Sequence, residues 1–217
     1  MSTPAWDDPT IEFQSVSKWY GHVIGLNHLT LLLAPGVTGL LGPNGAGKST
    51  LLQLATGQLR PSQGEVRVLG HRPWNNAALY RLVGLCPEQD AFFEWMSGRE
   101  FLTSCALLGG LGRKGSRRAA ERVLDQIGMT EHADRSVRGY SKGMRQRIKL
   151  AQALIHDPEL VLLDEPLSGI DPIGRRESLE LFLQLADRGK CLLVSSHELE
   201  ELEKLTDHVA IMAHGRV

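Results

Sequence analysis

The sequence predicts an α/β fold with a mainly parallel sheet, an antiparallel β part near the N-terminus and an inserted helical lobe. Three observations lead there. Strand-like and helix-like segments alternate along most of the 217 residues. The runs "ELVLLDEP" and "KCLLVSSH" read as buried strands. From Phe92 the pattern turns to helical periodicity and keeps it until about His156.

Taken in order, "IEFQSVS" and "LTLLLAPG" are early strands, the second closed by a Pro-Gly turn. "VTGLLG" is a short strand that runs into a glycine-rich loop, and "STLLQLATG" is the helix after it. "GEVRVLG" and "LVGLC" are strands again. "GREFLTSCALLGG" and "SRRAAERVLDQIGM" are amphipathic helices separated by a Gly-rich break. The helix that follows, "GYSKGMRQRIKLAQAL", has a prepared beginning: Ser141 is a good N-cap, and Lys142, Arg145, Arg147 and Lys149 come after it. Such a helix start attracts anions through its N–H groups and dipole. "GRRESLELFLQLADRG" is a helix between the two buried strands. The chain stops at "VAIMAHGRV", where a turn begins another strand, and is expected to be truncated there. The expected organisation is one domain over 1–217, with a nucleotide-binding core of 1–91 and 157–217 and a helical lobe of 92–156.

Composition bounds the function. Apolar residues make up 42% and charged residues 23%, ordinary for a globular chain with a real core. Formal net charge is −1, so no nucleic-acid partner is expected, and the basic residues are local, around Arg113 to Arg118 and Arg138 to Lys149. Three cysteines, Cys86, Cys105 and Cys191, form no CxxC pair or Cys/His cluster, which points to a reducing compartment. "MSTPAWDDPT" is acidic and poor in apolar residues, unlike a signal peptide. No apolar run approaches the roughly 18 residues of a membrane span, so the chain is expected to be soluble by itself.

"GPNGAGKST" matches G-x-x-x-x-G-K-[ST]. Glycines let successive N–H groups curl around phosphate oxygens where a Cβ would obstruct them. Gly42, Pro43, Asn44, Gly45, Ala46, Gly47, Lys48, Ser49 and Thr50 are therefore the expected phosphate-binding residues. Lys48 would reach the β and γ phosphates, and the Ser49 hydroxyl would hold Mg²⁺. The motif lies between a predicted strand and a predicted helix, as this chemistry demands, which makes the core a P-loop NTPase (RecA-like). ATP and Mg²⁺ are the expected ligands. "LVLLDEP" ends an apolar strand with Asp164 and Glu165. Ligands of open α/β sheets sit at the carboxyl ends of strands, so both carboxylates are expected to face the phosphate loop. Asp164 would hold Mg²⁺ through its water shell, and Glu165 would orient or deprotonate the attacking water.

With Lys48, Asp164 and the Ser141 helix in one chain, the sequence resembles the ATP-binding cassette of ABC transporters over essentially its whole length. The resemblance makes "LSGIDP", Leu167 to Pro172, the D-loop, and "SSHELEE" the switch segment, with His197 at the γ-phosphate. "SKWYG" resembles the adenine-stacking loop, with Tyr20 as platform and Trp19 as its rival. Most cassettes have LSGGQ where this chain has "YSKGM". Ser141 and Gly143 are kept, while Lys142 and Met144 are departures. This variant resembles exporter-type cassettes whose membrane partner is a separate small polypeptide. In "GLCPEQD", aligning Gly84 and Pro87 with the family puts Glu88 where the Mg²⁺-contacting glutamine usually stands, with Gln89 one residue late. Either a carboxylate replaces the amide, or the loop is shifted by one, or neither touches the ion. "AFFEWM", Ala91 to Met96, is either the patch that receives a helix of the membrane subunit or the lobe's own core.

The resemblance implies an ATP-binding and ATP-hydrolysing subunit, an ATPase driving transport, in the export direction, through a separate membrane subunit. Two cassettes, identical or different, would close head-to-tail on two ATP molecules. The Ser141 helix would then bind the γ-phosphate held by the other subunit's Lys48. The partners implied are a second cassette and an integral membrane permease. The implied location is cytoplasmic, peripheral on the cytoplasmic face of the cell membrane. DNA-repair cassettes insert long coiled coils between phosphate loop and signature, and no sustained heptads occur here. Translation-factor cassettes normally come two to a chain. A P-loop kinase would not need Ser141 or His197. An ATP-binding regulator without turnover is the remaining alternative, disfavoured by Glu165.

Overall fold

In the computed structural model, which describes residues 9–217, the expected alternation of strand and helix is present. The chain runs through β1 (Ile11–Tyr20), β2 (Val23–Leu33), β3 (Val37–Leu41), α1 (Lys48–Ala55), β4 (Gln63–Val68), β5 (Val83–Cys86), α2 (Gly98–Leu108), α3 (Arg113–Gln126) and α4 (Lys142–Leu154). It continues through β6 (Leu160–Leu163), α5 (Pro172–Asp187), β7 (Cys191–Ser196), α6 (Leu199–Leu202) and β8 (Val209–Ile211). Residues 1–8 of the stretch read as unlike a signal peptide lie outside the described residues.

Two compact units divide the chain, one ending at Tyr80 and resumed by Cys191–Val217, the other spanning Arg81–Lys190. The first unit holds an antiparallel sheet in the order β2-β1-β4, with Ile11 opposite both Leu33 and Val68. Ile11, Phe13 and Val16 are buried, and a register shift between Phe13 and Val16 lets the strand keep its apolar side inward. β2 begins at Val23, well before the "LTLLL" run that marks it in the sequence, because Tyr20 pairs with Val23 across Gly21 at φ +59°. The hairpin supplies main-chain partners to a stretch that apolar content alone does not identify as strand. The same unit carries parallel strands β7-β3-β8, with Val37 opposite Leu192 and Gly39 opposite Val209. Leu40, Leu193 and Val194 are fully buried, as befits strands covered on both faces. α1 buries Leu51, Leu52 and Leu54.

In the second unit β5 and β6 pair in parallel, Val83 opposite Leu160 and Cys86 opposite Leu163, and all four residues of β6 are buried. α2 starts with a capping box in which Ser97 and Glu100 satisfy each other's main-chain N–H groups. α3 and α4 bury Ala120, Val123, Leu124, Ile148, Leu150 and Ala151. The Tyr140 hydroxyl donates to the His132 carbonyl at 2.7 Å, and Arg99 of α2 bridges Glu121 of α3 and Asp134, tying the two helices to each other and to the segment before α4.

Candidate functional site

β3 ends at Leu41 and the chain turns directly into the glycine loop. Gly47 sits at φ +106°, where a Cβ would come within 2.6 Å of the Gly25 carbonyl oxygen, so glycine is required there. The loop is held by backbone: the Gly42 N–H donates to the Ser196 carbonyl (3.2 Å), Ala46 N–H to the Pro43 carbonyl (3.1 Å), and Gly215 N–H to the Ala46 carbonyl (2.9 Å). α1 then begins with Gly47 as N-cap and no side-chain cap. Its first N–H groups are thereby left to a ligand. The buried Lys48 ammonium donates to the carbonyls of Gly42 (2.5 Å) and Pro43 (3.2 Å), which keeps the cation inside the loop. Pro43, Asn44, Gly45 and Ser49 are exposed, Ala46 is buried and Thr50 is half-buried. A curled backbone, an uncapped helix start and an enclosed ammonium are the features by which a loop can receive phosphate oxygens.

The hairpin between β1 and β2 places Tyr20 beside this loop. Its hydroxyl lies 3.3 Å from Thr50 Oγ1, and the Lys18 ammonium stands 5.5 Å from its ring centroid. Trp19 is also exposed, but it bonds through its main chain, its N–H donating to Ser62 Oγ at 3.1 Å. At the end of β7, Ser196 is buried and its hydroxyl donates to Glu201 Oε2 at 2.7 Å while accepting from the Glu198 N–H at 3.0 Å. His197 follows it, exposed, with Nε2 3.7 Å from the Glu198 carboxylate. Since the Ser196 carbonyl accepts from Gly42, His197 is one residue from a main-chain contact of the phosphate loop.

In the second unit β6 delivers Asp164 and Glu165, both buried. The Asp164 N–H donates to the Cys86 carbonyl at 2.9 Å, continuing the ladder one step past the strand. Glu165 takes a left-handed φ of +46°, which for a non-glycine residue costs about 1–2 kcal/mol. Such strain collects at functional sites. Burial pushes the Cys86 thiol up to about 12, so this cysteine beside the carboxylates is a packed, unreactive group. After β5, Glu88 and Gln89 are both exposed, and Lys149 grips the Glu88 main-chain carbonyl at 2.7 Å and Asp90 Oδ1 at 3.2 Å.

Ser141 is the N-cap of α4, its Oγ accepting from the Met144 N–H at 3.3 Å. A Cβ built at Gly143 meets nothing within 4 Å, which leaves the helix start open to a ligand. The run of cations behind it is not an anion trap as a whole. Arg145 pairs with Glu94 (2.6 Å), Arg147 with Glu177, and Lys149 with Asp90, so these three charges are spent inside the protein. Lys142 instead lies over Gly169, in the segment Leu167–Pro172, where φ is +65°. Asp171 of that segment caps α5 by accepting from Ile173 (3.1 Å) and Gly174 (3.0 Å), and the Gly174 N–H, then that of Ile173, holds its carboxyl below the usual range. The "AFFEWM" stretch divides: Phe92 packs edge-on against Phe101 with centroids 5.2 Å apart, whereas Phe93 and Trp95 are 53% and 77% exposed. The sequence places Lys149 in the Ser141 helix and Gly169 in the segment Leu167–Pro172, but not their contacts with Glu88 and Lys142, because each contact joins residues distant in the chain.

Among the described residues no group of three or more His, Cys, Asp or Glu could by itself hold a metal ion, and no helix is long and apolar enough to cross a membrane. A family model described as ABC transporter matches residues 26–168. The chain is similar to the daunorubicin resistance ATP-binding protein DrrA3 of Streptomyces coeruleorubidus, at 38% identity over 97% of this chain and 67% of that one. It is similar to the Nod factor export ATP-binding protein I of Sinorhizobium fredii, at 37% identity over 96% of this chain and 62% of that one. Among solved structures, an ATP-binding subunit of an ABC transporter superposes with a TM-score of 0.84 at 27% identity, over 96% of this chain and 88% of that chain. The chain spans 69%, 59% and 66% of the length of three curated relatives it matches.

Proposed function

Since the chain belongs to the ABC transporter family, as one of its ATP-binding cassettes, we propose that it hydrolyses ATP to drive export through a separate integral membrane permease. One observation carries the proposal. The Lys48 ammonium is enclosed in the glycine loop, 2.5 Å from the Gly42 carbonyl oxygen, at the start of a helix without a side-chain cap. That is a binding device for a polyphosphate rather than a structural turn.

In this reading the backbone of Gly42 to Thr50 wraps the phosphates, Lys48 meets the β and γ groups, and Tyr20 stacks on adenine. Ser49 and Asp164 would hold Mg²⁺, with Glu88 or Gln89 as a further contact. A hydroxyl and a carboxylate suit this hard cation, which takes its remaining ligands from phosphate and water rather than from a protein cage. When bound, the ion would neutralise charge on the phosphate oxygens. Glu165 accepts the proton of the attacking water, and His197 donates to the γ-phosphate. Ser141 and Gly143, in a helical lobe of 92–156, act on the nucleotide of a second cassette, identical or related. Phe93 and Trp95 offer apolar surface to the membrane subunit. The "YSKGM" variant and the relatives named for daunorubicin resistance and Nod factor export support the export direction. The subunit would work as a peripheral protein on the cytoplasmic face, without a nucleic-acid partner.

The test uses two variants. Lys48→Ala should lose nucleotide binding, because the cation facing the phosphates is gone. Glu165→Gln should still bind but lose about 10² to 10⁴-fold in turnover, the usual contribution of a general base. Normal steady-state hydrolysis by Glu165→Gln would remove that role from Glu165. Binding without turnover by the wild-type chain, assayed with the membrane subunit that copurifies with it, would make it an ATP-binding regulator instead.

A further inference from the structure

The corner between α2 and α3 is used by none of the functions above. α2 ends on Leu107 and Leu108, which are 43% and 89% exposed, and the chain turns through Gly109 and Gly110 to Leu111 and the start of α3. Arg113, Lys114, Arg117 and Arg118 follow these leucines on α3, all exposed. At about 100° per residue these four fan over about 140° of the helix; the buried Ser116, Ala119, Ala120 and Val123 lie outside that arc, and the buried Leu124 falls within it about two turns beyond Arg117. Arg81 joins them: its guanidinium is 3.3 Å from where a Cβ of Gly110 would lie.

These charges are poorly served by the protein itself. Arg113 and Lys114 sit in the first turn of α3, at the positive end of the helix dipole, with no acidic residue in that turn and no side-chain cap from Gly112. Glu121, four residues after Arg117 and so its natural partner on the helix, is engaged by Arg99. Five cations therefore share this corner with no ion pair to any of them among the described residues, and Leu108 at the end of α2 is 89% exposed. An acidic protein surface would complement the charges but leave Leu108 against polar groups. An anionic bilayer satisfies both, with phosphates for the cations and acyl chains just beneath for the leucines.

We propose that the α2–α3 corner is a membrane-contact site that binds anionic lipid headgroups through Arg81, Arg113, Lys114, Arg117 and Arg118, with Leu108 inserted between them. It would add a lipid contact to whatever the membrane subunit provides, and it requires neither nucleotide nor that subunit.

Co-sedimentation of the full chain with vesicles tests it, using phosphatidylcholine alone and phosphatidylcholine containing one third phosphatidylglycerol. Binding should need the anionic lipid and weaken in high salt, since surface charges are screened beyond a few ångströms there. Replacing Arg113, Arg117 and Arg118 together by alanine should lower partitioning about a hundredfold, at about fivefold per basic residue. Leu108→Ser should lower it further, and Lys204→Glu, a charge change outside the corner, should leave it near wild type. The triple variant should keep wild-type thermal unfolding, because all three side chains are exposed. Lys48→Ala should bind vesicles normally, which separates this proposal from the ATPase reading. Equal binding to both vesicle types, an unaffected triple variant, or capture by polyglutamate without capture by vesicles would each overturn it.

Discussion

Lys149, 5% exposed in α4, donates from its ammonium to the main-chain carbonyl of Glu88 at 2.7 Å. The grip is on backbone, so it survives any side-chain change at Glu88 or Gln89. The second anchor is Asp90, 3.2 Å from the same ammonium. Helix α4, which begins at the Ser141 cap, thus holds the loop that carries both candidate metal contacts.

That anchoring makes the choice between Glu88 and Gln89 a clean experiment. Glu88→Ala is expected to raise the Mg²⁺ concentration needed for ATPase activity, and Gln89→Ala to change it little. A carboxylate binds a hard cation better than an amide does, while adding negative charge near the phosphates. Mg²⁺ titrations of both variants decide it, and the reverse pattern would assign the contact to Gln89 and shift the loop by one.

Tyr20 and Trp19 are both exposed, yet the Tyr20 hydroxyl alone reaches Thr50 of the phosphate loop helix. Tyr20→Ala should weaken ATP binding by roughly 5- to 150-fold, matching about 1–3 kcal/mol for stacking a base on an aromatic ring. Trp19→Ala should leave it within about twofold, and Tyr20→Trp should restore most of the loss, because any ring face serves. Fluorescence titration with ATP reads all three. A larger loss from Trp19→Ala than from Tyr20→Ala would reverse the assignment.

The N-terminus of α4 is proposed to serve the nucleotide of a second cassette, and two inactive chains test this together. Lys48→Ala damages the phosphate loop, and Ser141→Arg blocks the helix start. A mixed dimer then holds one doubly damaged site and one with both halves intact, each half from a different chain. With random pairing and independent sites, the mixture should regain about a quarter of wild-type ATPase activity. A mixed dimer shown to form on ATP yet inactive excludes action in trans by independent sites. A fully active Ser141→Arg monomer would show that the helix serves no partner's nucleotide.

Much of the fold and half of the site are local properties, readable from the amino-acid order. The glycine loop is legible because φ +106° at Gly47 and a nearby carbonyl admit no side chain, while a polyphosphate demands a cation such as Lys48. Asp164 and Glu165 stand out because four buried apolar residues precede them. Ser141 is recognisable as an N-cap from residue type and position, and it is one. What the chain order left open turns on residues far apart in it. The cations Arg145, Arg147 and Lys149 look like an anion site until Glu94, Glu177 and Asp90 arrive from other elements and absorb them. Phe92 and Phe93 are adjacent and identical in chemistry, but Phe101 packs against only the first, so one is half-buried and the other faces solvent. Backbone conformation and hydrophobic period are short-range and therefore written in consecutive residues. Charge pairing and burial depend on which surfaces meet after folding, and tertiary packing alone decides them.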